Sequence, residues 1–182
     1  MKSRTLPGTL VIALLVSGPV LGQNNATDEQ VKRGEYLVTI GGCHDCHTPL
    51  VTGPSGPEPD MSRALSGHPQ DIAVTAPANL PEPWMAAASG TLTAWSGPWG
   101  VSFSANLTPD EETGVLRDFT EEQFIQTMRT GRHQGQGRPI LPPMPWPFIG
   151  QMTDEDLKAV FAYLRQIPAL NNKVPDPIPP AQ

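Results

Sequence analysis

The feature that most constrains this chain is the motif Cys43-His44-Asp45-Cys46-His47, a C-x-x-C-H pattern that contains both cysteines of the 182-residue sequence. Two thiols separated by two residues on a short helical turn can reach the two vinyl groups of one porphyrin and form thioethers. The adjacent His47 can then direct its imidazole at the iron from the same side. The motif therefore predicts one covalent haem on Cys43 and Cys46, with His47 as an axial iron ligand.

Other interpretations of these cysteines stay open. A thioredoxin-type redox pair needs a strand before the motif and a βαβ surround, and the residue pattern shows neither. A structural zinc site needs four ligands, which Cys43, Cys46, His47 and a remote histidine would have to supply. A disulfide that closes only two intervening residues would do little to stabilise the chain. Haem attachment fits the residues best.

The second iron ligand is expected in a turn towards the far end of the domain. The run Leu141-Pro142-Pro143-Met144-Pro145-Trp146 fits this position, because prolines on both sides would hold the Met144 thioether on a stiff loop. Ligation by His and Met fills the iron and raises its potential, which suits outer-sphere electron transfer. Met128, on a helix face, and Met152, beside the start of the last helix, are more simply interpreted as packing residues.

Further side chains are candidates for contact with the haem. His68 and His133 are alternative iron ligands, and each could instead cap a turn or hydrogen-bond a haem propionate. Arg138, six residues before Met144, either pairs bidentately with a propionate carboxylate or is a solvated surface side chain. His44 belongs to the motif but is expected to face away from the iron.

Oxygen-bearing side chains are close together in residues 106–111, where Asn106, Thr108, Asp110 and Glu111 could bind Ca²⁺. A turn held by hydrogen bonds from these side chains is the simpler interpretation. No Ser-His-Asp order, phosphate-binding loop or pair of catalytic carboxylates can be made out. The chain is therefore predicted to carry electrons and not to transform a substrate itself.

Three helices are predicted, and each begins with a threonine in a capping-box pattern. They would cover residues 28–40, 121–130 and 154–167. Gly131 is the expected stop of the second helix, and Pro168 that of the third. No strand pattern is comparably strong, so the predicted fold class is mainly α.

The region from about residue 49 to 104 has a different composition. It contains nine Pro and six Gly, a share typical of irregular or disordered chain. Trp84, Trp95 and Trp99 argue against a flexible linker, because exposed indoles would leave large apolar area in water. We therefore expect a long, irregular Pro/Gly/Trp-rich insertion that packs against the domain.

The first 22 residues have the pattern of a secretory signal peptide. Lys2 and Arg4 form a charged start, and residues 9–16 are apolar but too short to span a bilayer. Gly18-Pro19 then precede a cleavage point expected before Gln23. No later segment is apolar for long enough to be a membrane helix. The mature protein is expected in the bacterial periplasm or another exported compartment.

The remaining chain is divided into a haem domain, residues 23–170, and an extended tail, residues 171–182, without structure of its own. The sequence carries 12 Lys and Arg against 18 Asp and Glu, and the leader contains two of the basic residues. So acidic a chain has no electrostatic basis for binding nucleic acid or anionic membrane surfaces. Redox proteins with basic patches are the expected partners.

The chain resembles class I-type c cytochromes, and more closely bacterial monohaem members with a long insertion after the haem motif. It is also similar to the cytochrome subunits that serve periplasmic alcohol, aldehyde and sugar-acid dehydrogenases. The resemblance covers most of residues 28–168. The segments that carry it are the haem turn 42–49, residues 105–110 with Thr113-Gly114, Met128-Arg129-Thr130-Gly131, the Pro-Met-Pro loop, and Ala162-Tyr163-Leu164-Arg165.

The resemblance implies a cytochrome c-type helical domain around one haem, whose first helix crosses the last at Gly34, beside Val160 and Tyr163. It implies an electron carrier with a dehydrogenase as donor and a terminal oxidase or other redox protein as acceptor. Those dehydrogenase subunits often carry three haem motifs, whereas this chain has one. The alternatives are a haem subunit docked permanently in a larger dehydrogenase complex, and a haem enzyme or gas sensor with an open iron position.

Overall fold

The computed structural model describes residues 26–75, 77 and 80–180, so the predicted signal peptide lies outside the described residues. The α-helices of this part of the chain are α1 (Asp28–Ile40), α2 (Cys43–His47), α3 (Glu121–Thr130), α4 (Trp146–Ile149) and α5 (Asp154–Leu164), and short 3-10 helices cover Met61–Arg63 and His133–Gly135. Its strands are β1 (Leu50–Gly53), β2 (Gly56–Pro59), β3 (Ala87–Ala88), β4 (Ala94–Gly97) and β5 (Gly100–Phe103). The described chain is therefore helix-rich, with two small sheets.

The threonine caps explain where the three predicted helices begin. The hydroxyl oxygens of Thr27, Thr120 and Thr153 each accept from the N–H three residues later, at 3.1, 3.2 and 3.1 Å. At Thr120 the capping box is complete, because the Gln123 side chain accepts from the Thr120 N–H at 2.9 Å. Each cap satisfies an N–H that has no partner inside the helix. The predicted starts of all three helices are confirmed.

The helix ends follow from glycine and proline. α3 ends at Thr130 and is capped by Gly131, whose φ of 65° lies in the left-handed region that glycine adopts without strain. α5 ends at Leu164, three residues before the predicted end. The last turn tightens there, because the N–H of Gln166 donates to the carbonyl of Tyr163, only three residues back, at 2.9 Å. Pro168 then has no N–H with which to continue the helix.

α1 and α5 cross at Gly34, as the resemblance implies. A Cβ on Gly34 would overlap the backbone carbonyl of Ala159 and lie 2.7 Å from the Cβ of Tyr163, so only glycine lets the two helices approach this closely. The crossing helices and α3 share one hydrophobic core, which includes Leu37, Val38, Phe124, Ile125, Leu157, Val160 and Leu164. The haem motif directly follows α1, so this crossing fixes the position of the motif relative to the core.

Gly34→Ala is expected to destabilise the folded protein by about 1–3 kcal/mol, because α1 and α5 must separate to admit the methyl group. Alanine's higher helix propensity opposes this effect by up to ~1 kcal/mol. Denaturant unfolding of the two proteins measures the difference. Gly90→Ala is the control, since a Cβ there meets no atom within 4 Å. Equal stabilities of the two variants would contradict this account of the crossing.

The insertion 49–104 contains all the strands that the structure describes. β1 and β2 form an antiparallel hairpin, and β3, β4 and β5 form a three-stranded antiparallel sheet in that order. The strands are two to four residues long, too short to show a period-two pattern in the sequence. The expectation of an irregular insertion is therefore wrong for these segments.

The tryptophans of the insertion differ in burial. Trp95 and Trp99 are half-buried, and the indole N–H of Trp99 donates to Oγ of Ser102 at 3.2 Å. Trp84 is 69% exposed, so the prediction that its indole packs against the domain is wrong. Residues 81–84 form a turn closed by a backbone hydrogen bond, and the Trp84 ring extends from this turn into solvent. Only two of the three tryptophans help to order the insertion.

The C-terminal tail is extended and lies against the insertion. Ile178 and Val101 pair through two backbone hydrogen bonds of 2.8 and 2.9 Å, a contact that the sequence pattern does not predict. None of the helices in the described part of the chain has the length and apolar character that a bilayer crossing requires.

Candidate haem site

The C-x-x-C-H motif forms α2, one helical turn directly after α1. Gly42 precedes it with a φ of 67°, and its carbonyl accepts from the N–H of Asp45 at 3.1 Å. This left-handed residue turns the chain sharply into α2, where Cys43 and Cys46 stand three residues apart, on neighbouring positions of one helix face. Neither thiol is in a disulfide, and burial raises the pKa of Cys43 to about 11. Both sulfurs are therefore available for thioether bonds.

His47 is buried, and its ring is oriented by the backbone of a distant segment. Nδ1 lies 2.8 Å from the carbonyl oxygen of Ala105, which can only accept, so Nδ1 carries the proton and Nε2 keeps its lone pair. Burial lowers the pKa of His47, which favours the neutral ring. A neutral imidazole whose second N–H donates to a backbone carbonyl is the usual arrangement of a metal-bound histidine. The residue fits a haem iron ligand.

A cavity of about 480 Å³ lies beside His47. This volume is in the range of about 300–1,000 Å³ that is usual for cofactor pockets. Cys46 and His47 line the cavity, whereas Cys43 packs against the adjoining core. Nine residues of the wall have large aromatic or aliphatic side chains, namely Trp95, Phe103, Leu107, Val115, Leu116, Phe119, Phe124, Ile140 and Leu141. Such a wall suits the apolar face of a porphyrin.

Two methionines line the cavity. Met144 does so from the proline-rich loop, as the sequence predicts. Met128 also lines the cavity from α3, in addition to the core packing that we expected of it. Met152 packs against the core and is not part of the cavity wall. Met144 remains the predicted iron ligand. Met128 is the other methionine at the cavity, so the prediction is tested by comparing the two residues.

The Met144 loop is fixed at both ends. On one side, Oγ of Ser102 in β5 donates to the carbonyl of Pro142 at 2.5 Å. On the other, α4 begins at Trp146, whose indole lies against Gly131 because that glycine has no Cβ to exclude the ring. The loop is thus attached to β5 and to the end of α3, and both attachments hold Met144 at the cavity.

The alternative histidine ligands occupy different environments. His68 is fully buried away from the cavity wall, with Nδ1 2.8 Å from the Thr93 hydroxyl and Nε2 2.9 Å from the carbonyl of Ile72. Both its nitrogens are bonded, so it has none to offer an iron. His133 is half-buried and lines the cavity. His44 is not part of the cavity wall, as we expected from its position in the motif.

Cationic side chains stand at the cavity. Arg138 lines it and is exposed, and its guanidinium donates to the neighbouring Pro139 carbonyl over a long 3.5 Å. This geometry leaves Arg138 able to pair with a haem propionate. Arg117 and Lys173 also line the cavity, although no sequence pattern singles them out. Arg117 already pairs with Asp118 at 3.0 Å.

The predicted Ca²⁺ residues form a hydrogen-bonded turn. Oδ1 of Asn106 accepts from the N–H and the hydroxyl of Thr108 at 3.0 and 2.7 Å, and Oδ1 of Asp110 accepts from the same groups of Thr113 at 2.8 and 2.6 Å. Among the described residues, no group of three or more His, Cys, Asp or Glu is placed to hold a metal ion. These contacts match the turn interpretation, and Ca²⁺ binding stays a prediction without support from this geometry.

Several residues of the site are missed by the sequence analysis. Ala105 and Ser102 act through a backbone carbonyl and a single hydroxyl, and residues 173–177 reach the cavity from the tail. One sequence signal could have pointed to Ala105. Segment 105–110 is among those in which the chain resembles c cytochromes, although its residue types do not themselves indicate a haem site.

No family model matches the sequence. It is similar to the cytochrome c subunit of a quinone alcohol dehydrogenase from Gluconobacter oxydans, with 30% identity over 155 residues, 84% of this chain and 25% of the relative. The gluconate 2-dehydrogenase cytochrome c subunit of Pantoea cypripedii is 33% identical over 154 residues, 85% of this chain and 26% of the relative. The fructose dehydrogenase cytochrome subunit of Gluconobacter japonicus is 33% identical over 134 residues, 74% of this chain and 20% of the relative.

These comparisons confirm the resemblance inferred from the motifs. Most of the chain aligns with cytochrome subunits of dehydrogenases that act on different substrates. The chain spans about a quarter of the length of the first two of these relatives. The similarity therefore concerns one part of each relative.

Proposed function

We propose, on the premise that this chain resembles cytochrome c subunits of bacterial dehydrogenases, that it is an exported c-type cytochrome with a single covalent haem. In this proposal Cys43 and Cys46 hold the haem, and His47 and Met144 are the axial ligands of its iron. The protein transfers electrons and transforms no substrate itself. A dehydrogenase is its donor, a terminal oxidase or another redox protein its acceptor, and the periplasm its location.

The observation that carries the proposal is the state of His47 at the cavity. Its Nδ1–H is bonded to the Ala105 carbonyl, and burial favours the neutral ring, so Nε2 is the nitrogen left to ligate a metal. Cys46 of the attachment motif and Met144 line the same cavity. A covalent anchor, a prepared imidazole and a thioether on one apolar cavity are the donor set of a His/Met c-type haem.

The chain's own residues perform four tasks in this function. When bound, the haem supplies a one-electron iron couple. The two cysteines prevent dissociation of the cofactor, and the Ala105 carbonyl fixes the orientation of His47. Apolar side chains of the wall exclude water, which strengthens every electrostatic interaction inside the cavity. Arg138 offers a charge complementary to a propionate.

The wild-type protein, produced with a periplasmic haem maturation system, should begin near Gln23 and carry the mass of one haem. The adduct should survive acid denaturation and organic extraction, because thioether bonds are covalent. Intact-protein mass spectrometry and oxidised and reduced optical spectra measure both properties. Free thiols on Cys43 and Cys46 with no haem adduct would overturn the proposed function.

A further inference from the structure

The C-terminal tail forms part of the wall of the haem cavity. The residues concerned are Lys173, Val174, Pro175, Asp176 and Pro177. They come from a segment in which no helix or strand pattern is predicted. Their position at the cavity must therefore be held by contacts outside the segment itself.

Asn172, directly before this wall, is bonded through every polar group of its side chain. Its amide N–H groups donate to the carbonyls of Ser66 and His68 at 2.7 and 2.9 Å, and its Oδ1 accepts from the N–H of Gln70 at 2.9 Å. Its backbone N–H donates to the hydroxyl of Thr113 at 3.0 Å. One side chain thus joins the tail to residues 66–70 of the insertion.

The far end of the wall is held by backbone pairing. Ile178 exchanges two hydrogen bonds with Val101 of β5. Gly100 has a φ of +90°, and a Cβ there would overlap the carbonyl of Ile178, so the tail lies directly on the strand. Residues 173–177 are therefore fastened on both sides, by Asn172 and by Ile178.

The segment to which Asn172 is bonded also contacts the ligand residue. The N–H of Gly67 donates to the carbonyl of His47 at 2.8 Å, and the N–H of His68 donates to the carbonyl of Ser104 at 3.0 Å. Ser104 directly precedes Ala105, the acceptor for the His47 ring. Asn172 thereby connects the tail to both backbone segments that position His47.

We propose that Asn172 is a positioning residue that holds residues 173–177 as a wall of the haem cavity and excludes water from the iron. This inference rests on the proposed function. Burial of the cavity disfavours the more highly charged ferric state, so the wall keeps the reduction potential high. Release of the tail admits water and lowers the potential.

Asn172→Ala in the full-length holoprotein tests the inference, with Asn171→Ala as the matched control. Asn171 is exposed, and its side-chain amide donates to Asp110 and Glu112 at 3.3 and 3.2 Å. Asn172→Ala should lower the reduction potential and speed tryptic cleavage after Lys173 by about tenfold, since it removes the three side-chain hydrogen bonds that hold the tail to residues 66–70. Asn171→Ala should change neither quantity.

The outcomes separate the inference from the function on which it rests. If wild type carries covalent haem but the two variants have equal potentials, Asn172 does not position the wall, even if cleavage becomes faster. If wild type carries no haem, the proposed function is wrong, and the inference about Asn172, which depends on it, is wrong as well. Should Asn172→Ala not fold, Gly100→Ala loosens the other end, and an unchanged potential in that holoprotein contradicts the role of the tail.

Discussion

Replacement of both Cys43 and Cys46 by alanine is expected to abolish covalent haem and leave a colourless, poorly folded protein. The chain has no other thiol that could form a thioether. Without haem, the apolar side chains around the cavity of about 480 Å³ would have no cofactor to pack against. Because a ligand that binds only the native state stabilises it, the melting temperature should fall by about 10 °C or more.

Asp45→Ala is the matched control for this double variant. Asp45 is exposed and occupies a variable position of the motif, so the C-x-x-C-H pattern persists without it. It should retain one covalent haem and a melting temperature close to that of wild type. Haem staining after denaturing electrophoresis and thermal unfolding by circular dichroism measure the two effects. A double variant that still carried haem through denaturation would exclude attachment at these cysteines.

The helices were predictable because their signals are local. Thr120 and Gln123 are three residues apart and complete their capping box without help from the rest of the fold. Gly131 ends α3 by its own conformational freedom. The short strands gave no such signal, since two to four residues cannot show a period.

The attachment motif was predictable for the same reason, because its chemistry is contained in five consecutive residues. The partner of His47 was not, since the carbonyl of Ala105 lies 58 residues along the chain and every residue type has a carbonyl. The tail wall depends likewise on Asn172, whose partners Ser66 and His68 are more than 100 residues away. Contacts to backbone atoms over such separations leave no residue pattern.

The error at Trp84 has a different cause. A large apolar ring stabilises the fold only where other atoms are present to cover it, and composition does not report their position. Trp95 lies on β4 and borders the haem cavity, whereas Trp84 stands on a turn. The same residue type is therefore half-buried at one place and 69% exposed at the other.

Met144→Ala is expected to convert the iron from a filled to an open site. The Met144 loop is stiffened by prolines and fastened to β5 through Ser102, so little entropy is lost in holding the sulfur at the iron. A thioether is a soft, neutral ligand that favours the ferrous state. Its removal should abolish the weak far-red band of Met-ligated ferric haem, admit CO, and lower the potential by on the order of 100 mV.

Met128→Ala and Met152→Ala are the controls that identify the ligand. Met128 is the second methionine on the cavity wall, and Met152 lies outside that wall. Both variants should keep the far-red band and exclude CO, although Met128→Ala should lose about 2–5 kcal/mol of stability because its side chain is part of the core. Optical spectra, CO titration and redox titration of the three holoproteins measure these effects.

If the far-red band is lost in Met128→Ala but retained in Met144→Ala, the iron ligand is Met128 on α3 and not Met144. A high-spin wild-type spectrum would instead favour an open catalytic or sensing site. A low-spin spectrum without the far-red band would point to His133, the other histidine that lines the cavity, as the second ligand.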